Sequence, residues 1–156
     1  MPLVYESSLA TAGNSTTAGG VNTETDRFFL KAGVRNAYFQ SLQLQGKGAL
    51  LSQISGLAMR MIKWGTASTL GTGITPSPKD SGAQAATATA ASTPTSGTTR
   101  TNRIIIGCGT TTPGQWMARD NDACITLAGG GAPSIDGMDV SGAASLLFEF
   151  SFEHWE

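Results

Sequence analysis

The segment SLLFEFSFEHWE near the end of the chain alternates with a period of two. Leu146, Phe148, Phe150 and Phe152 are apolar, and Leu147, Glu149, Ser151 and Glu153 fall between them. Successive strand side chains point to opposite faces, so this pattern predicts a strand with one face in a core and the other mostly polar, in an antiparallel sheet. DRFFLKAG, from Asp26 to Gly33, and NAYFQSLQLQG, from Asn36 to Gly46, predict two more strands separated by a turn between Gly33 and Asn36. In the second, Leu42 and Leu44 alternate with Gln43 and Gln45.

GALLSQISGLAMRMIKWG fits two periods. Leu50, Leu51, Ile54, Leu57, Ala58, Met61 and Ile62 recur at helical spacing, while Leu57, Met59 and Met61 alternate and Gly56 interrupts the helical pattern. The reading adopted is a short helical turn over Ala49 to Ser55 and then a strand from Leu57 to Trp64. Further on, RIIIGCG, GQWMARD and ACITLAGG predict strands, the first because three consecutive isoleucines, Ile104 to Ile106, favour extended backbone. TTTPG and GGGAPSIDGMD, rich in glycine, proline and aspartate, read as the breaks between strands.

Between these groups lies ITPSPKDSGAQAATATAASTPTSGTTR, from Ile74 to Arg100, made mostly of Thr, Ala, Ser, Pro and Gly. Strands are predicted on both sides of it, and neither side is large enough to bury an independent core. The run therefore reads as a long excursion within one β-sandwich. Unstructured loops of such length are uncommon in compact domains and are usually functional or ordered by a partner. Residues 1–25 are similarly polar and read as an extended N-terminal arm, leaving 26–156 as a single sandwich domain that includes the loop 74–100.

Composition narrows the function classes. Charged residues make up 13% of the 156-residue chain, against roughly 25% in typical domains. Ten basic and eleven acidic residues leave a net charge of −1, so no electrostatic footprint for nucleic acid is present. No run approaches the roughly 18 consecutive apolar residues of a membrane span, and the first residues lack the basic start and apolar core of a secretion signal. The expected partners thus exclude nucleic acid and membrane, and synthesis in the cytoplasm is expected. Cys108 and Cys124 form no CxxC pattern and read as free thiols, although a bridge between neighbouring strands stays open.

Catalytic and ligand-binding patterns are weak. His154 is the sole histidine and lies between Glu153 and Trp155, which suggests a surface or subunit-contact residue rather than a general base. GKG at Gly46 to Gly48 fails the phosphate-loop pattern, with Ser41 and Gly48 where glycine and Ser or Thr are required. AGGGAP at Ala128 to Pro133 reads as a turn, not a dinucleotide fingerprint. RDND at Arg119 to Asp122 has calcium-type spacing, but Cys124 occupies the next ligand position. Asp136 and Asp139 read as turn residues that cap backbone, and Asn14 matches a glycosylation motif without a signal to deliver it. Neither cofactor nor metal is expected. Trp64 and Trp116 read as packing residues, with a sugar platform as the competing use, whereas the Trp155 ring calls for a partner that a neighbouring subunit would supply.

The order of these pieces, FFLKAG, NAYFQSLQLQ, AMRMIKWG, TPSPKDSGAQAATATA, a tryptophan strand, a Gly/Pro turn and the closing SLLFEFSFEHWE, resembles small bacteriophage capsid decoration, or cement, proteins of the jelly-roll type. The resemblance runs from about Arg27 to Glu156, and the Ser/Thr/Gly-rich N-terminal stretch is longer than it leads one to expect. It implies an all-β antiparallel sandwich with jelly-roll connections and no enzymatic activity. It also implies a place on the outer surface of an icosahedral phage head, commonly as a homotrimer bridging copies of the major capsid protein. Extended low-charge segments suit that role, because arms that order on docking wrap large surfaces. Arg100, Arg103, His154 and Trp155 are the candidate subunit or capsid contacts. The alternatives are a phage tail or baseplate component and a lectin-like jelly roll that binds carbohydrate through Trp64 or Trp116; a small hydrolase ranks last.

Overall fold

The structure is a computed structural model that describes residues 3–8, 16–17, 24–47, 57–62, 71–93, 102–106, 113–130, 134–140 and 147–156. In chain order the strands are β1 (Val4–Ser8), β2 (Thr16–Thr17), β3 (Glu24–Lys31), β4 (Ala37–Lys47), β5 (Leu57–Ile62), β6 (Thr72–Ile74), β7 (Ser77–Pro78), β8 (Thr89–Ser92), β9 (Asn102–Ile106), β10 (Gly114–Met117), β11 (Ile125–Leu127), β12 (Ser134–Val140) and β13 (Leu147–Trp155). The helical element among the described residues is one short 3₁₀ turn, Asn121–Ala123.

All pairings are antiparallel and form two sheets. The first runs β10-β4-β13-β1-β7, with β11 and β2 pairing β4 and β13; the second runs β6-β8-β3-β12-β5-β9. The protein is thus an all-β sandwich. β3 and β4, read from the sequence as consecutive strands, belong to opposite sheets, so the turn between them carries the chain across the core.

The core lies between the sheets. Phe28, Leu30 and Ala32 from β3 and its exit meet Phe39, Leu42 and Leu44 from β4, Phe150 and Phe152 from β13, and Ile135 from β12. Phe28 sits at the centre, its ring 5.2 Å from Phe150, 5.3 Å from Phe152 and 6.4 Å from Phe39, spacings at which aromatic pairs attract. Along β4 the buried positions change parity, from Leu42 and Leu44 to Phe39 and Ala37. A β-bulge causes the change: Glu153 pairs Ser41 while His154 pairs Phe39, which leaves Gln40 as the extra residue, its carbonyl accepting the Ala118 amide at 2.9 Å.

Three sequence expectations are corrected. GGGAPSIDGMD is not simply a break, because Ser134–Val140 forms β12, a strand paired on one side with β3 and on the other with β5. Asp136 and Asp139 accordingly occupy ladder positions, not a turn. Glycine interrupts this strand for a packing reason: a Cβ on Gly137 would lie 1.7 Å from the ring of Phe28, its cross-strand neighbour.

The Thr/Ala run, over its described residues 74–93, is likewise built into the sandwich. Within it β7 pairs β1 at the end of the first sheet, and β8 pairs β3 in the second. Ala88 and Ala90 enter the core, while Ala91 and Ser92 are also buried. Without these strands β1 and β3 would present open edges, which soluble proteins avoid. Small side chains serve here because the segment lies across the margin of the core.

The N-terminal arm is corrected in its first part. β1 pairs β13 from Val4↔Trp155 to Ser8↔Ser151, and Tyr5 is fully buried. Thr16–Thr17 pairs β13 as well, and β3 begins at Glu24, inside the stretch read as arm. The expected helical turn over Ala49 to Ser55 lies outside the described residues, as does Trp64; the strand expected from Leu57 is β5.

Candidate functional site

Among the described residues two places gather polar groups: the outer face of the first sheet and a buried junction where β1, β13 and residues 84–88 meet. On the outer face, strand alternation stacks side chains in rows. One row runs Ser77, Glu6, Glu153, Ser41, Met117; the next runs Ser8, Ser151, Gln43, Gln115; a third pairs Glu149 with Gln45. Serine and glutamine dominate. The charges in the first row are partly neutralised: Lys79 Nζ is bonded to Glu153 Oε1, and Ser41 Oγ donates to Glu153 Oε2 at 3.3 Å. The hydrogen bond to Glu153 raises the Lys79 pKa, against the opposing effect of burial, and the charges of Glu153 and Glu6 add to the rise.

This face carries two open hollows. One of about 350 Å³ is bordered by Gln43, Gln45, Pro113, Glu149 and Ser151, and one of about 300 Å³ by Glu6, Ser8, Thr75, Ser77 and Lys79. Neither brings a nucleophile and a base together in a catalytic geometry. Among the described residues no group of three His, Cys, Asp or Glu side chains could hold a metal ion.

The buried junction is organised by Glu156. Its side chain is 0% exposed and accepts hydrogen bonds from the Thr87 amide at 2.8 and 3.0 Å, the Thr87 hydroxyl at 2.7 Å and the Ala88 amide at 2.7 Å. Arg35 Nη2 reaches the same carboxylate at 3.1 Å and the Ala85 carbonyl at 3.3 Å. Burial by itself would raise the Glu156 pKa, but the bonds from Ala88 and Thr87 and the charge of Arg35 outweigh it and hold the carboxyl below its ordinary value. Tyr5 Oη donates to the Gln84 carbonyl at 3.0 Å, and Gly33 lets Thr87 pass so closely that a Cβ there would meet its carbonyl oxygen at 2.0 Å. Residues 84–88 are therefore in contact with Tyr5, Gly33, Arg35 and Glu156.

His154 lies beneath this clamp. It is 0% exposed, stacked on Tyr5 with ring centroids 5.3 Å apart, and its Nε2 is 3.5 Å from Glu156 Oε1. That separation is longer than an ordinary hydrogen bond, and the carboxylate is the charged group that faces the ring. Burial is the largest influence on the ring and, despite the nearby carboxylate, lowers its pKa, so the imidazole is neutral at pH 7.

The predicted contact residues fare differently. His154 is corrected: its place in the same parity as Phe150 and Phe152 turns it into the core, where it cannot touch a partner. Trp155 is half-buried and its ring meets Tyr38 edge-on at 5.8 Å, so it finds a partner within the chain. Arg103 stands in β9 opposite Arg60, and Arg100 lies outside the described residues. The strand that carries Arg103 belongs to the second sheet, and the one that carries His154 and Trp155 to the first. Trp116 is half-buried and stacks on Phe39 at 5.6 Å. Cys124 is a free, half-buried thiol whose pKa burial raises; Cys108 lies outside the described residues. The sequence reading missed the roles of Glu156, Arg35 and Thr87, which are far apart in the chain.

The fold and these two places define a two-sheet antiparallel sandwich with a broad, weakly charged polar face. Compared with known proteins, the chain matches no family model, no curated protein and no solved structure at a significant level.

Proposed function

We propose that the chain is a structural virion protein, a decoration protein that docks on the outer surface of an icosahedral phage head and ties copies of the major capsid protein together. The observation that carries this reading is the strand order. Setting aside β2, β6, β7, β8 and β11, the sheets reduce to β1-β13-β4-β10 and β3-β12-β5-β9, eight strands with the first beside the last. That order is the one expected of a jelly roll, the fold of many capsid proteins, and it supports the resemblance carried by the sequence.

The outer face of the first sheet suits such a role. It is rich in Ser and Gln and ends in Met117, which is 57% exposed. Uncharged polar side chains hydrogen-bond a protein partner without the desolvation cost of buried charge. The burial of His154 favours a non-enzymatic role, since the sole imidazole does not reach solvent. Assembly as a homotrimer would multiply weak contacts into stable attachment.

The test is co-sedimentation of the purified chain with phage heads from a lysate that makes it, after the heads have been stripped of it. Saturable binding to heads supports the proposal. Binding to tails alone would move the chain to a tail or baseplate role, and binding to neither would overturn the virion reading.

A further inference from the structure

The junction of β1, β13 and residues 84–88 holds a titratable pair for which the proposed role has no use. The Glu156 carboxylate is shared. Oε1 takes the Thr87 and Ala88 amides and faces His154 Nε2, while Oε2 takes the Thr87 hydroxyl, a second contact from the Thr87 amide and the Arg35 guanidinium. A shift of less than about 1 Å would bring His154 and Oε1 within hydrogen-bond distance.

We propose that His154 and Glu156 form an acid-sensitive latch on residues 84–88: a neutral imidazole leaves the carboxylate on the Thr87 and Ala88 amides, and a protonated one draws it away and frees the segment. This inference is independent of the virion role.

The surroundings of His154 leave the proton little choice of partner. From β1 it meets the Tyr5 ring, whose hydroxyl is committed to the Gln84 carbonyl. Its ladder partner on β4 is Phe39, which carries no charge. Arg35, from the β3–β4 turn, approaches the far side of the same carboxylate. Glu153 is adjacent in sequence but is turned to the outer face, where it holds Lys79. Among the described residues Glu156 is thus the acceptor that an imidazolium would find.

The pH window follows from the signs. His154 titrates below its ordinary 6.5 in the folded chain, so the unfolded chain takes up the proton first and stability falls as pH drops below that value. Glu156, held below its ordinary 4.5, remains ionised through this interval. The latch opens below the folded pKa of His154, which lies under 6.5, while the Glu156 carboxylate is still ionised.

Hydrogen exchange read by mass spectrometry on the full chain, at about pH 7.5 and at a pH below the midpoint of the imidazole's own NMR titration, with times scaled for intrinsic rates, tests this directly. Peptides over 84–92 are expected to exchange about tenfold faster than the scaling predicts in acid, while peptides over 37–47 keep their protection. His154→Phe, which retains a ring against Tyr5, is expected to abolish the difference. Should that variant fail to fold, NMR titration of the native imidazole replaces it, with the Thr87 and Ala88 amide signals moving at the same midpoint. Unchanged protection of 84–92 in acid, a pH effect that survives His154→Phe, or an imidazole that titrates without those amides would overturn the latch.

Discussion

The ring of Phe28 lies across the backbone of Gly137, its neighbour on the adjacent strand, where a single added methyl group would overlap the ring carbons. This contact joins β3 to β12 in the middle of the second sheet, and the same ring packs on Phe150 and Phe152 of the first. A glycine that looks like a turn signal is here the seat of the central aromatic residue.

Gly137→Ala is accordingly expected to destabilise the fold by about 1–3 kcal/mol or more, the cost of overpacking a close-packed site. Urea denaturation measures it as a lower midpoint with unchanged slope. Unchanged stability would mean that the ring does not occupy this position.

The Thr/Ala run makes a paired prediction. Ala90 is 1% exposed and its neighbour Thr89 faces solvent. Ala90→Asp buries an uncompensated charge and is expected to cost more than about 3 kcal/mol. Thr89→Asp is expected to stay within about 0.5 kcal/mol. An unstructured loop would tolerate both substitutions equally, so similar midpoints would contradict the edge-cover role.

Glu156 predicts an acid limb. Its folded pKa lies below the ordinary 4.5, so its contribution is complete above that value and is lost as pH falls through the folded pKa. Glu156→Gln keeps the shape but loses the charge, and is expected to cost about 1–3 kcal/mol at neutral pH and to flatten the fall in stability below pH 4.5. Chemical denaturation across the acid range checks both effects.

The exposed pair provides a contrast. Lys79, with nearly half its side chain in water, is bonded to Glu153. Lys79→Ala is expected to change stability by less than about 1 kcal/mol, and by less again at high salt. A larger loss would show that the outer face is more tightly coupled to the fold than its exposure implies.

Alternation made β4 and β13 legible in the sequence, β3 was read from the apolar run DRFFLKAG, β5 was read as a strand from a stretch that also fits a helical period, and the isoleucine run marked β9. β12 was hidden because Gly137 and its flanking aspartates carry turn chemistry, while the reason for the glycine resides in a ring more than a hundred positions away in the chain. β8 was hidden because alanines add little to any hydrophobic pattern, although Ala90 and, just before the strand, Ala88 reach the core. β1 escaped because VYESS mixes buried Tyr5 and Ser7 with exposed Glu6. The burial of His154 was within reach of the sequence, since it continues the parity of Phe150 and Phe152. The Glu156 clamp was not, because its partners Arg35, Thr87 and Ala88 meet only once both sheets are assembled.

The central claim, a structural place on a phage head, is tested most directly by electron microscopy of virions from cells that make the chain, labelled with gold-tagged antibody against it. The account predicts label distributed over the head surface and absent from the tail. Label confined to the tail, or virions that carry none while the chain remains in the soluble fraction, would contradict it.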